Sequence, residues 1–243
     1  MKLNKKISIF IPAFNAEEHI VKVINRIPQS IRPELNAVYI INDGSSDNTA
    51  SVIDQLGKND LSIKPVHFKN NKGYGWAVRT GLKMCLDDGC DYAVCVHADG
   101  QYPPESIPGF IDKMQNEGID ILQGSRIASG TALSGGMPLY KFIAGKCLTA
   151  LENLVFGLRM TDYHSGFLLY SRRAIESIPL EKLSGSFDFD LEVIASARAK
   201  GLSIAESAIP TRYAGEKSYL NPITYGLRVL RVVCKYSLGG YIS

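Results

Sequence analysis

The sequence has no apolar run that approaches the roughly 20 residues needed to span a bilayer. It also lacks a CxxC cysteine pair, the Gly-x-Gly-x-x-Gly loop of dinucleotide-binding proteins and the Gly-Lys-Ser/Thr ending of a P-loop. The net charge is only +3, whereas nucleic-acid-binding proteins carry a much stronger basic patch. These absences argue against a membrane-spanning protein, a dehydrogenase, a P-loop enzyme and a nucleic-acid partner.

The cysteines are few, odd in number and mostly flanked by apolar residues, which is typical of a reducing compartment. They are Cys85, Cys90, Cys95, Cys147 and Cys234. The lysine-rich start precedes an apolar segment too short for a signal peptide. We therefore expect a cytoplasmic protein.

The first half of the chain alternates short β-branched runs with amphipathic segments. The strand candidates are Ile7–Ile11, Ala37–Ile41, Ser62–Phe68, Tyr92–His97 and Asp120–Gln123, and the helical candidates are Glu17–Ile27, Asp47–Leu56, Tyr74–Leu86 and Pro104–Asn116. Strands separated by helices of this length predict βαβ units and a mostly parallel sheet. A chain of 243 residues that is 45% apolar can bury one full core, so we predict a single α/β domain over residues 1–220.

The second half predicts an apolar helix over 138–156, a strand near Leu168–Ser171 and a helix over Leu191–Lys200. Residues 221–243 predict a basic amphipathic helix from Ile223 to about Leu238. Its cations Arg228, Arg231 and Lys235 have three- and four-residue spacing and therefore share one face. Such a helix packs on the domain or lies on an anionic membrane surface, and both alternatives stay open.

Polar residues follow four of the predicted strands. Ligands of open parallel sheets bind beyond the carboxyl ends of the strands. "FIPAFNAEE" (10–18) offers Pro12 and Phe14 as a pocket wall and Asn15 or Glu17 as polar contacts; alternatively Asn15 caps a helix. In "IINDGSSDNT" (40–49), Asp43 precedes the turn and is free to bind a nucleobase edge.

The segment "HADGQYPPE" (97–105) ends the strand candidate Tyr92–His97 with side chains that bind metals. His97 and Asp99 are two residues apart in extended chain and point to the same face, and Gln101 is a further ligand or supporting group. A nucleotide diphosphate at this edge needs a divalent cation, and oxygen ligands suit Mg²⁺ or Mn²⁺. The alternative for His97 is simple packing at a strand end.

The ordered motifs "PAFNAEE", "NDGSSDNT", "KGYGWAVRTG", "HADGQYPPE", "GSR", "GGMPLYK", "HSGF", "FDFDLEV" and "TRYAGEKS" resemble those of the family 2 glycosyltransferases, inverting enzymes of the GT-A fold. The resemblance is strongest to the branch of polyprenyl-phosphate sugar synthases and bacterial polysaccharide-assembly transferases, and it runs from about residue 7 to 220. It implies one Rossmann-like domain with a mostly parallel central sheet flanked by helices. It also implies a nucleotide diphosphate sugar donor, of which a UDP-sugar is favoured.

The resemblance also implies roles for individual residues. Asp99, with His97 and Gln101, would hold the Mn²⁺ or Mg²⁺ that bridges the diphosphate. The nucleotide-binding set would be Pro12, Phe14, Asn15, Glu17, Ile41, Asp43, Lys72, Ala98, Asp99, Arg126, Arg212 and Lys217. Three positions depart from the family pattern: His97 replaces the first acid of Asp-x-Asp, Ala16 replaces an acid, and "GEKS" shifts a lysine by one place.

The acceptor depends on "SGSFDFDLEV" (184–193). A hydroxyl acceptor needs a general base, whereas a phosphate acceptor is already anionic. Asp188 and Asp190 are the candidate catalytic bases; the alternative is that Asp190 caps a helix and Asp188 pairs with an arginine. His164 is a second candidate base or ligand.

We expect a metal-dependent hexosyltransferase that acts on a membrane-associated glycan or a polyprenyl phosphate, with peripheral contact at the inner face of the cell membrane. The alternatives are a transferase for a soluble hydroxyl acceptor and a catalytically impaired protein that only binds nucleotide sugars.

Overall fold

A seven-stranded sheet forms the centre of the molecule. The computed structural model describes residues 5–210 and 221–242. The strands are β1 (Ile7–Ala13), β2 (Leu35–Asn42), β3 (Ile63–His67), β4 (Tyr92–Cys95), β5 (Ile121–Ser125), β6 (Leu168–Ser171) and β7 (Ile204–Ala208), in the order β3-β2-β1-β4-β6-β5-β7. Strand β6 is antiparallel to both of its neighbours, and the other pairs are parallel. The predicted α/β fold with a mostly parallel sheet is confirmed.

Eight α-helices flank this sheet in the described part of the chain. They are α1 (Ile20–Asn25), α2 (Thr49–Asn59), α3 (Tyr74–Asp87), α4 (Ile107–Glu117), α5 (Leu139–Phe156), α6 (Arg172–Ser177), α7 (Phe189–Ala199) and α8 (Pro222–Ser237). Short 3₁₀ helices span Gln29–Glu34, Pro104–Ser106 and Leu180–Lys182. No helix of the described residues combines the length and the apolar character needed to cross a membrane.

Both faces of the sheet are buried, and each supports its own core. In β1 the side chains of Ile7, Ile9 and Ile11 enter one core and Phe10 enters the other, as the alternation of a strand requires. Helix α3 approaches the sheet closely because Gly81 has no side chain; a Cβ there would overlap the ring of Phe10. This burial on both faces explains why the central strand β1 (ISIFIPA) is a nearly continuous apolar run.

The carboxyl ends of β1 and β4 lie side by side at a switch in strand order. Strand β1 is paired with β2 on one side and with β4 on the other. The chain therefore leaves β1 and β4 toward opposite halves of the sheet, which opens a crevice between their ends. The segments that begin at Asn15 and at His97 both start at this crevice.

Several predicted boundaries differ from the structure. The first helix begins at Ile20 and has six residues instead of the predicted eleven, because residues 17–19 form a turn rather than the first turn of an α-helix. Its N-cap residue is His19, so Asn15, whose backbone is left-handed (φ 50°), does not cap α1. Strand β7 was not predicted, since its sequence IAESA lacks both an apolar run and a clear alternation. Helix α6, also not predicted, has only six residues.

Helix α8 packs against α5 and α7, and two of its three cations form ion pairs there, whereas Arg231 is exposed. Arg228 forms a 3.0 Å ion pair with Asp188, and Lys235 forms a 2.9 Å ion pair with Glu192. Glu192 also accepts hydrogen bonds from the backbone N–H of Ser184 and from the hydroxyl of Tyr241. The outward face of α8 is instead apolar, with Ile223, Leu227 and Leu230 exposed.

We expect Glu192→Ala to lower the free energy of unfolding by about 2–3 kcal/mol, because it removes the acceptor of three hydrogen bonds, two of them from the C-terminal segment. Glu176→Ala is the matched control: its exposed pair with Arg172 should cost about 0.3–0.5 kcal/mol. Chemical denaturation followed by circular dichroism measures both. Equal losses in the two variants would show that Glu192 does not anchor α8.

Candidate functional site

A cavity of about 720 Å³ lies at the carboxyl ends of β1, β2 and β4, and we call it the first cavity. The segment after β1 supplies one wall, the start of α3 a second, and the segment after β4 the inner end. The residues that line it include Pro12, Phe14, Asn15, Asp43, Gly73, Tyr74, His97, Ala98, Asp99 and Phe187. Seven of the residues predicted to bind nucleotide or metal therefore lie together.

Asn15 and Glu17 connect the loops that follow β1 and β2. The side-chain oxygen of Asn15 accepts a hydrogen bond from the backbone N–H of Ser46 at 2.9 Å. Glu17 accepts one from the N–H of Asn48 at 2.8 Å. These contacts fix the outer wall of the first cavity, although Glu17 does not line it.

Asp43 holds the loop before α3 against the end of β2. Its two carboxylate oxygens accept hydrogen bonds from the backbone N–H groups of Lys72, at 2.7 Å, and Gly73, at 2.9 Å. Asp43 is buried and its oxygens are occupied, so its observed contacts position this loop. Ile41 is wholly buried in the core and, like Lys72, is not part of the wall where we expected it.

A second cavity, of about 450 Å³, continues from the first. Its walls come from α5, α7, α8 and the loop 161–167. Tyr74, His97, Asp99 and Phe187 line both cavities and form their boundary. A molecule in each cavity would meet the other at these four side chains.

The hydroxyl of Tyr74 links Asp190, a candidate catalytic base, to His97, a candidate metal ligand, at this boundary. It donates to Oδ2 of Asp190 at 2.7 Å and lies 3.1 Å from Nε2 of His97. Burial raises the pKa of Asp190 to about 7, although the hydrogen bond from Tyr74 opposes that shift. Burial also lowers the pKa of His97, so its imidazole is neutral near pH 7. Tyr74 was not among the predicted site residues; only its position at the start of a helix after a glycine loop could have suggested it.

The ring of His97 fits because residue 166 is a glycine. A Cβ at Gly166 would overlap that ring, whose other side contacts Tyr102 edge-on. This explains the "HSGF" motif as a space requirement. His97 is therefore held by packing and by Tyr74.

The two aspartates of "FDFD" have different environments. Asp188 accepts hydrogen bonds from Ser184 at 2.8 Å and Arg228 at 3.0 Å, and it does not line either cavity. Asp190 lines the second cavity, and its Oδ1 is buried without a hydrogen-bond partner among the described residues. Asp190 lies in the first turn of α7, and Asp188, the residue before the helix, makes no side-chain cap.

Arg126 lies on the second cavity, away from the donor position we expected. Its Nη2 donates to the carbonyl oxygen of His164 at 3.1 Å, and its Nε lies 3.7 Å from Asp162. Gln101 also lines only the second cavity. Arg212 and Lys217 lie outside the described residues.

A divalent cation fits at Asp99, with the phosphates of a ligand completing its shell. Within residues 5–210 and 221–242, no three His, Cys, Asp or Glu side chains converge as a metal site. Mg²⁺, however, is commonly held by one or two carboxylates together with substrate phosphates and water. Asp99 lies where the two cavities meet, and its Oδ1 accepts a hydrogen bond from the backbone N–H of Gln101 at 3.0 Å.

Comparisons with known proteins extend over nearly the whole chain. The family model "Glycosyl transferase family 2" matches residues 8–178. The UDP-N-acetylglucosamine–dolichyl-phosphate N-acetylglucosaminyltransferase of Methanococcus voltae is 29% identical over 222 residues, which are 86% of this chain and 87% of that protein. The polyprenol monophosphomannose synthase of Mycolicibacterium smegmatis is 25% identical, over 83% of this chain and 75% of that protein.

Solved structures show the same fold. Glucosyl-3-phosphoglycerate synthase from Mycobacterium tuberculosis, crystallised with uridine diphosphate, superposes with a TM-score of 0.71 at 19% identity, covering 98% of this chain and 81% of that one. A complex of the same enzyme with Mn²⁺, uridine diphosphate and phosphoglyceric acid gives a TM-score of 0.69 at 19% identity and covers 98% and 79%.

Proposed function

Because the chain belongs to glycosyl transferase family 2, and is thus a glycosyltransferase, we propose that it moves a hexose from a nucleotide diphosphate sugar to a polyprenyl phosphate or a membrane-associated glycan. The observation that carries this proposal is the pair of cavities that meet at Tyr74, His97, Asp99 and Phe187. Donor and acceptor in separate cavities would approach each other at this boundary. Attack on the anomeric carbon opposite the leaving diphosphate inverts its configuration.

The first cavity suits the donor. Pro12 and the half-exposed Phe14 offer an apolar wall for a base, and Asp99 lies at the inner end where a diphosphate would reach. The relative from M. voltae uses a UDP-sugar, and the structural neighbour from M. tuberculosis binds uridine diphosphate. A UDP-sugar is therefore the first donor to test.

Asp99 would hold Mn²⁺ or Mg²⁺ together with the donor phosphates. A divalent cation bound there would neutralise the negative charge that develops on the leaving diphosphate. The protein's own share is to fix the carboxylate: the hydrogen bond from Gln101 orients Asp99, and the neighbouring His97 adds no charge while its imidazole is neutral. The M. tuberculosis enzyme crystallised with Mn²⁺ supports the choice of metal.

The second cavity suits an acceptor that comes from a membrane. Helices α5 and α8 both contribute to its lining, and their exposed side chains include Leu139, Ile143, Ile223 and Leu227. The only acid of α5 is the buried Glu152, and α8 contains none. An apolar surface without exposed carboxylates suits a lipid surface, and the relatives from M. voltae and M. smegmatis are named for dolichyl phosphate and polyprenol products.

A second candidate function, transfer to a hydroxyl, is favoured by Asp190. Its carboxylate lines the second cavity with one oxygen unpartnered, as a general base requires. The structural neighbour crystallised with phosphoglyceric acid is a precedent for a small soluble acceptor.

The turnover test uses UDP-N-acetylglucosamine with Mn²⁺ and either dolichyl phosphate or a hydroxyl-bearing glycan, with UDP release and glycosylated product measured. We expect Asp99→Ala to lower turnover at least about 100-fold, because the leaving group loses its stabilisation. The control Asp112→Ala, on the exposed face of α4, should match the wild type. UDP binding without turnover for any donor and acceptor would favour an impaired binding protein.

The pH dependence separates the two acceptors. The pKa of Asp190 is raised to about 7, so the carboxylate is ionised and able to accept a proton above that pH. Transfer to a hydroxyl should therefore rise as pH increases through 7 and should be lost in Asp190→Asn. Asp188→Asn should instead lower stability, because it weakens the contact with Arg228. Full hydroxyl transfer by Asp190→Asn would exclude Asp190 as the base.

The membrane contact is tested by sedimentation with anionic liposomes. Ile143→Glu and Leu227→Glu place charges on the proposed lipid-facing surface and should each reduce binding several-fold. Leu61→Glu is the matched control, since Leu61 is also apolar and is more exposed than either residue, but it precedes the edge strand β3. Unchanged binding in the first two variants would show that α5 and α8 do not face the membrane.

A further inference from the structure

A buried Glu–His–Tyr sequence of contacts ends on the second cavity. Glu152 of α5 is fully buried, and its Oε2 lies 3.4 Å from Nε2 of His164. Nδ1 of His164 lies 3.0 Å from the hydroxyl of Tyr225, on α8. His164 and Tyr225 line the second cavity, whereas Glu152 lies behind them. The donor chemistry described above uses none of the three.

The protonation states of Glu152 and His164 determine which group donates and which accepts a hydrogen bond at each of these contacts. Burial, and secondly the negative charge of Asp162, raises the pKa of Glu152 to about 8, so it is mainly protonated at neutral pH. Burial lowers the pKa of His164, which leaves a neutral ring with one donor and one acceptor nitrogen. Among the described residues, Nε2 of His164 and both oxygens of Glu152 have no hydrogen-bond partner, so the 3.4 Å approach of Oε2 to Nε2 brings together two polar atoms that are otherwise unpartnered.

The protonation state of Glu152 then determines whether the Tyr225 hydroxyl donates its hydrogen into the cavity or to His164. If Glu152 donates to Nε2, the hydrogen of His164 is on Nδ1 and donates to the Tyr225 oxygen. The Tyr225 O–H is left to donate into the cavity. Ionised Glu152 reverses the sequence, since it accepts from Nε2 and leaves Nδ1 to accept the tyrosine proton. The pKa of Tyr225 is itself raised well above its usual value by burial and nearby acids, so its hydroxyl keeps its proton.

We propose that the Tyr225 hydroxyl donates a hydrogen bond to an anionic oxygen of a phosphate-monoester acceptor in the second cavity, and that Glu152 and His164 hold it in the donor state. This rests on the proposed transfer reaction and names its acceptor class. Tyr225 is then a specificity-determining contact, and Glu152 and His164 are positioning residues.

The charges around the second cavity determine how strongly it attracts an anionic phosphate to Tyr225. Arg126 and Lys141 line the same cavity and favour an anion, and Asp162 is balanced by Arg126 at 3.7 Å. Asp190 from α7 opposes an anion once it ionises near pH 7. Among the described residues, the titratable and charged groups near Glu152 and its two partners include Asp162, Tyr163, Arg126, Asp188, Asp190, Arg198 and Glu206.

The test is calorimetric titration of the full chain with geranyl phosphate, with glycerol phosphate and with geraniol as the uncharged control, in the presence of UDP and Mn²⁺. At pH 7 we expect Tyr225→Phe to weaken binding of the phosphates about tenfold and to leave UDP binding unchanged. Tyr236→Phe is the matched control on the same helix; its ring contacts Phe156 and it does not line the cavity. If geranyl phosphate binds more tightly than glycerol phosphate, the acceptor is a lipid phosphate. If glycerol phosphate binds more tightly, the acceptor is a soluble phosphate.

The role of Glu152 and His164 is tested separately by the pH dependence of phosphate binding. Raising the pH from 7 to 9 ionises Glu152 and should weaken phosphate binding by the wild type. Glu152→Gln always has an N–H for His164 and should remove part of that loss; the remainder is due to Asp190. Unchanged phosphate affinity in Tyr225→Phe, or the same pH loss in Glu152→Gln as in the wild type, overturns the proposal. Absence of phosphate binding with UDP binding intact refutes the acceptor class alone, whereas loss of both refutes the proposed function.

Discussion

The hydroxyl of Tyr74 joins the two halves of the chain at the boundary of the cavities, through its contacts with His97 and Asp190. That contact requires the start of α3 to lie directly against residues 184–186. Gly73 and Gly75 permit this approach, since a Cβ at either would overlap the backbone of that segment. The glycine loop thus serves packing between α3 and α7, and the site between the cavities depends on it.

Four buried acids in the second half of the chain form two groups, according to whether a lysine or arginine pairs with them. Asp188 and Glu192 are paired with the cations of α8 and attach that helix to α7. Asp190 and Glu152 have no lysine or arginine within ion-pair distance in the described part of the chain, and burial raises the pKa of both. The two acids that pair with cations therefore attach α8 to α7. The two without a lysine or arginine lie in the wall of the second cavity (Asp190) or behind it (Glu152). These ion pairs direct Arg228 and Lys235 toward α7, while Ile223, Leu227 and Leu230 remain exposed.

Much of the fold was predictable because β-branched runs and helical periodicity repeat clearly through residue 125. The sequence also predicted that strand-end residues such as Asp99 and Phe14 lie close together, because a parallel sheet brings its carboxyl ends together, and both line the first cavity. Tyr74, Glu152 and Tyr225 were missed because their roles arise from tertiary contacts between distant elements. Ile41 and Lys72 were misplaced because strand position alone does not say which side chain faces a cavity. The spacing of Asp188 and Asp190 gave two equal candidates, and only packing distinguished them.

The most direct test of the metal-dependent donor site is to measure the thermal stability of the protein with uridine diphosphate, with and without Mn²⁺. Nucleotide at 100 times its Kd stabilises the folded state by about 2.7 kcal/mol, which raises Tm by several degrees. We predict a shift that requires Mn²⁺ and disappears in Asp99→Ala. A shift of equal size without metal, or one retained in Asp99→Ala, would contradict the assignment of the first cavity as a metal-dependent donor site.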